Sequence, residues 1–266
     1  MTTLSWGSFA EALVRGCHRP LRRLSYRPCS TRMAILQPVA GIPALNPLMA
    51  RSAVLHDTLA GFLGLSLDHP GPRSRISRLI CGISYEHAES VKILIAAGNF
   101  SSAAGLMRLQ YEAVVRALWA FRCGHSMPPP MGLWTNFRHR LRRRPPARAA
   151  SLPMVGEMLE ALDSKAPKDT LGMLIEFRDH QWKPLSSFVP GGLHAIHRHE
   201  TGYPFPLMHG ALRSSNGLLF MVAMLLVILH GGKGQVGKIP AIQIELEDTL
   251  PPKKPPASKI TRVRIK

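Results

Sequence analysis

The stretch 74–122 limits the possible folds more than any other part of the chain. Ile76, Leu79, Ile80, Ile83, Val91, Leu94 and Ile95, with His87 in the same row, recur at three- and four-residue steps. That spacing predicts an amphipathic helix over 74–97. Gly98-Asn99 predicts its end, and Ser101 or Ser102 supplies a cap for a following helix. This second helix is expected to run to about Arg122, with Leu106, Leu109, Ala113, Val114, Ala117, Leu118 and Phe121 inward. A turn this short makes the two helices antiparallel neighbours. The hairpin therefore commits the chain to helix-on-helix packing.

The flanking sequence continues in the same manner. A helix is expected from Pro47 to Leu67, stopped by DHPGP at 68–72. Ser151-Leu152-Pro153 opens another over MVGEMLEALD, and a short one follows over Thr170–Gln181. Residues 182–200 form a Gly-, Ser- and His-rich connection whose second half can be helical, ahead of a last long helix, Leu207–His230. IQIELE, 242–247, alternates like a short strand, and PPKKPP reads as a stiff, solvated tail. The expectation is an all-α bundle of about five to six helices over 47–230. It carries an Arg/Pro-rich insertion at 124–150, an irregular arm at 1–46 and a basic Pro-rich tail at 231–266.

The formal charge is +18, but it is unevenly placed. Residues 1–46 carry net +5, 123–148 net +6 and 231–266 net +5, leaving +2 for the rest. A uniformly basic nucleic-acid-binding face on the core is thereby disfavoured. The compositions of 1–46 and 124–150 fit two readings: solvated basic segments that hold nucleic acid nonspecifically, or a slipped reading frame or misassigned start in a GC-rich gene.

Cys17, Cys29, Cys81 and Cys123 include no C-x-x-C pair, so neither a zinc ribbon nor a redox motif is indicated. Reduced thiols and a cytoplasmic location are expected. No apolar segment follows the basic N-terminus as a secretory signal requires. The longest apolar run, Leu218–Leu229, has twelve residues, where a spanning helix needs roughly 20. It reads as a buried core helix, and no membrane span is expected.

Three blocks carry a resemblance: ISYEHAESVKILIAAGNFSSAAGLMRLQYEAVVRALWA at 83–120, EFRDHQWKPLSSFVPGGLHAIHRH at 176–199 and ALRSSNGLLFMVAMLLVIL at 211–229. They look like a bacterial family of helical proteins of unknown function. That family is similar, more distantly, to the higher eukaryotes and prokaryotes nucleotide-binding (HEPN-like) helical domains. The resemblance implies a helical bundle in a defence or toxin–antitoxin-like role. It also implies, as an alternative, an RNase using Arg and His around the entry to the last long helix. Here Arg198-His199 precede that helix, His209 stands at its entry and Arg213 lies inside it.

Two constellations stand out. Arg108, Glu112 and Arg116 are four apart and share one helix face. With Glu86 and His87 on the preceding helix they read either as an anion-binding pocket or as a structural ion-pair ladder. They are expected to turn inward and line one cavity with the His194–His199 segment. His194, His197 and His199 form H-x-x-H-x-H, with His180 and His209 nearby. These are the candidate acid–base groups, read alternatively as a hydrogen-bonding cluster. The spacing does not match a zinc motif, so no metal and no cofactor is expected. Gly191-Gly192 fits either a tight turn or an anion contact. The functional expectation is a helical binding or interaction protein with a protein partner or a second copy of itself. The alternatives are the RNase and a nonspecific nucleic-acid binder acting through the basic segments.

Overall fold

The computed structural model describes residues 42–123, 152–188 and 192–252. The expectations for 1–41, 124–151, 189–191 (with Gly191) and 253–266 lie outside these residues. The described residues contain nine α-helices and no strand. In chain order they are α1 (Asn46–Leu63), α2 (Pro72–Ala96), α3 (Phe100–Cys123), α4 (Val155–Leu162), α5 (Lys168–Phe177), α6 (Lys183–Ser186), α7 (Leu193–Thr201), α8 (Phe205–Leu229) and α9 (Lys238–Glu245). A π-helical turn, Arg178–Trp182, joins α5 to α6, and 3-10 turns cover Pro43–Leu45 and Glu247–Thr249. The all-α bundle is thus the observed architecture.

The α2–α3 hairpin forms where the spacing predicts. Gly98 sits at φ +77°, and Asn99 N–H donates to the Leu94 carbonyl at 2.8 Å. A β-carbon is strained at that φ, so glycine ends α2 and the following N–H satisfies an orphan carbonyl. α3 then starts at Phe100, ahead of the two serines proposed as caps.

The buried faces differ from the expected ones. Leu79 is 63% exposed and Ile83 48%. α2 keeps Val91 and Ile95 inward as expected, but its remaining buried positions are Ser77, Cys81, Ser84, Tyr85 and Ala88, with Lys92. Short side chains at 77, 81, 84 and 88 let the backbones of α2 and α3 come close, and dense packing outweighs the greasier row. The buried hydroxyls are satisfied: Ser77 donates to Ala117 O at 2.8 Å and Ser84 to Gln110 O at 3.3 Å. α3 is buried on most of its circumference, although Leu109 is 40% exposed.

α8 crosses the molecule against α1, α2 and α3. By length and composition this helix can span a membrane, with a mean hydropathy of 1.9 in its most apolar window. That window is 78% buried within the fold, as expected of a core helix. Its end repeats the first device, with Gly231 at φ +76° and Gly232 N–H donating to Val227 O at 2.9 Å.

IQIELE is helical, not a strand. Most of it lies in α9, with Ile242 and Leu246 buried four residues apart and Ile244 74% exposed. A lone strand would leave its peptide groups unpaired, whereas a helix satisfies them locally. The bundle therefore extends past His230: Leu246, Thr249 and Leu250 are buried too. Arg51 of α1 clasps this segment, donating Nε to Asp248 Oδ2 at 3.0 Å and Nη2 to Glu245 O at 2.7 Å.

Candidate functional site

The π-helical turn Arg178–Trp182 organises the most unusual part of the surface. Pro184 follows it in the first turn of α6. A proline lacks the N–H for a regular helical bond and its ring crowds the carbonyl four residues earlier. A widened turn accommodates both effects, and such turns recur at functional sites. Here His180 Nδ1 lies 2.9 Å from Glu176 O, and Gln181 Nε2 donates to Ser214 Oγ on α8 at 2.7 Å.

A cavity of about 290 Å³ opens beside this turn. Val91 and Ile95 of α2 with Ala103, Ala104 and Met107 of α3 form one wall. Leu185, Phe188, His180 and Gln181 form a second, and Met208, Gly210, Ala211 and Ser214 of α8 a third. The room comes from small residues where three helices meet. Most of the lining is apolar, with the Gln181–Ser214 pair and His180 as its polar groups. Few polar groups in a mostly apolar hollow fix a ligand's orientation without much desolvation cost.

Arg108, Glu112 and Arg116 share one face of α3 and are joined by ion pairs. Arg108 Nε donates to Glu112 Oε1 at 3.0 Å, and Arg116 Nη2 donates to Oε2 at 2.8 Å. The Glu112 side chain is 10% exposed, Arg108 26% and Arg116 33%. The Arg108 guanidinium stands over the Trp182 ring, 5.1 Å from its centroid. The Trp182 Nε1–H is buried and has no acceptor among the described residues. Tyr111 stacks on Phe177 at 4.7 Å and donates to Leu174 O at 3.0 Å; burial pushes its hydroxyl pKa up.

The hollow beside the π-helical turn is not the cavity expected for these groups. None of Glu86, His87, Arg108, Glu112, Arg116, His194, His197 or His199 lines the hollow. Glu112 is satisfied by its own i±4 neighbours. Glu86 is exposed; His87 is half-buried, and burial lowers its pKa against the pull of Glu86. His194, His197 and His199 are exposed on α7, which buries only Ala195. Among the described residues no three His, Cys, Asp or Glu side chains are placed to hold a metal. Gly192 is tightly packed, a β-carbon there falling 2.7 Å from Ser187 O.

A second polar cluster lies in the core. His56 is fully buried, with Nδ1 3.2 Å from Glu89 Oε1 and Nε2 3.3 Å from Asn216 Oδ1. Lys92 Nζ lies 3.3 Å from the same Glu89 oxygen. Burial pushes the His56 pKa down, against the hydrogen bond to Glu89. Gln110 and Ser215 exchange hydrogen bonds nearby: Gln110 Nε2 donates to Ser215 O at 2.8 Å and Ser215 Oγ to Gln110 Oε1 at 2.7 Å. These contacts tie α1, α2, α3 and α8 together. Sequence reasoning missed them because His56, Gln110 and Asn216 are single polar residues inside apolar helices.

Residues 81–252, just under two thirds of the chain, match the model of a family of unknown function, DUF6988, and the chain belongs to that family. No curated protein and no solved structure shows significant similarity to it.

Proposed function

We propose that this member of the DUF6988 family is a binding protein that takes a small, mainly apolar molecule into the hollow between α2, α3, the π-helical turn and α8. The observation that carries this reading is the 290 Å³ cavity itself, apolar on most sides and polar where Gln181 meets Ser214. A ligand there orients a hydroxyl or carbonyl toward that pair and buries the rest against Met107, Leu185 and Met208. A defence or toxin–antitoxin-like setting rests on the sequence resemblance.

The test is a titration of the full chain with the uncharged fluorescent hydrophobe N-phenyl-1-naphthylamine. Saturable binding is expected, weakened by roughly tenfold or more, about 1.4 kcal/mol, in Ala104→Leu, which fills the hollow. Binding that is absent, or unchanged in a variant that melts like wild type, overturns the reading. RNA cleavage abolished by changing His194, His197 and His199 to Ala would support the RNase alternative instead.

A further inference from the structure

We propose that the indole N–H of Trp182 and the guanidinium of Arg108 form a binding site for a small carboxylate. The first observation is an unmet donor. Trp182 Nε1 is buried and lacks an acceptor among the described residues, while folded proteins pair nearly all such groups. The indole sits at the end of the π-helical turn, and its N–H lies in the ring plane. An acceptor arriving at that edge completes its hydrogen bonding.

The second observation is the cation beside it. Arg108 lies over the Trp182 ring at 5.1 Å and commits only its Nε, to Glu112 Oε1 at 3.0 Å. Its two Nη groups make no hydrogen bond among the described residues. A carboxylate offers one oxygen to the indole N–H and the other to an Nη donor of Arg108. A hydrogen bond from a guanidinium to a carboxylate is charge-assisted and strong.

The charge balance sets the ligand class. Arg108, Glu112 and Arg116 together carry one net positive charge, which a monoanion neutralises. A phosphate dianion would bring a second negative charge toward Glu112. The site therefore takes a carboxylate in preference to phosphate. It stands on Trp182 and Arg108 and is independent of the apolar hollow, which neither residue lines.

The experiment follows tryptophan indole N–H resonances of the ¹⁵N-labelled full chain during titration with benzoate. Trp182 is assigned by its loss in Trp182→Phe. Its resonance is expected to shift saturably with benzoate, and at least tenfold more weakly with the neutral analogue benzamide. Inorganic phosphate is expected to bind more weakly than benzoate. Arg108→Gln, checked for an unchanged melting profile, should weaken benzoate binding at least tenfold while keeping the Trp182 signal. A Trp182 resonance that ignores benzoate overturns the site. So does an equal response to benzamide, or one unaffected by Arg108→Gln. Tighter binding of phosphate overturns the carboxylate assignment. Naphthylamine binding in Arg108→Gln should stay at the wild-type level, which separates this site from the hollow.

Discussion

Asn216 donates an amide proton to the Thr249 carbonyl at 3.0 Å, and this contact orients the centre of the core. The same Nδ2 donates to Ser52 Oγ at 2.8 Å. Turning the amide over would set its oxygen against the Thr249 carbonyl, acceptor to acceptor. Its Oδ1 therefore faces His56, so Nε2 is the ring nitrogen that carries a proton. The opposite ring nitrogen, Nδ1, lies 3.2 Å from Glu89 Oε1.

Asn216→Ala should destabilise the fold by about 2–3 kcal/mol, because it strands buried groups of Ser52, His56 and Thr249 at once. Asn216→Asp should cost at least as much, since it puts an acceptor against the Thr249 carbonyl. Urea unfolding followed by circular dichroism measures both. A loss below about 0.5 kcal/mol would mean that the network holds nothing together.

Glu112→Ala should cost about 1–3 kcal/mol. It removes the partner of two guanidinium groups, but these are 26% and 33% exposed and keep part of their hydration. The cost falls between those of an exposed pair and a fully buried one. The same unfolding measurement checks it; a value above about 4 kcal/mol would place the ladder deeper in the core than described.

Gly217 occupies the middle of α8, where exchanging glycine for alanine ordinarily stabilises a helix by about 1 kcal/mol. Here a β-carbon would fall 2.8 Å and 2.9 Å from the Pro251 ring. Gly217→Ala is therefore expected to destabilise by about 1–3 kcal/mol. Gly82→Ala, which meets nothing within 4 Å, is expected to stabilise. Thermal melts of the pair should move in opposite directions.

The Cys81 thiol is pushed up to about 12 by burial, against a smaller lowering by Ser77. A raised value means the folded state holds the proton longer than the unfolded state. The contribution to stability is complete below pH 9 and is lost as pH rises from 9 toward 12. Two results are expected. Iodoacetamide at pH 8.5 leaves the Cys81 peptide unmodified in native protein and modifies it in urea, as mass spectrometry reads. Cys81→Ala also loses less stability between pH 8 and 10.5 than wild type.

Much of the helical layout was legible because it is local. The three-four spacing found α2 and α3, Gly98-Asn99 found their turn, and the apolar run at 218–229 found α8. Which face of α2 turns inward was not legible. The inward row is chosen by close approach to α3, so Ser77, Cys81 and Ser84 displaced Leu79 and Ile83. IQIELE failed for a related reason: alternation marks a strand only where a neighbouring strand exists. At the site, i,i+4 spacing placed Arg108, Glu112 and Arg116 correctly on one face. The contact of Arg108 with Trp182 depends on a π-helical turn whose only sequence trace is Pro184. The hollow is lined by alanines, methionines and larger apolar side chains brought together from distant segments, a pattern without any local signal.

The most direct test of the binding reading is a methionine-methyl NMR titration of the full chain with N-phenyl-1-naphthylamine. Met107 and Met208 line the hollow, whereas Met158 is buried in the other part of the core. The account predicts saturable shifts of the Met107 and Met208 methyl signals with Met158 unmoved. Methyl signals that all stay in place, or shifts spread equally over Met107, Met208 and Met158, would contradict it.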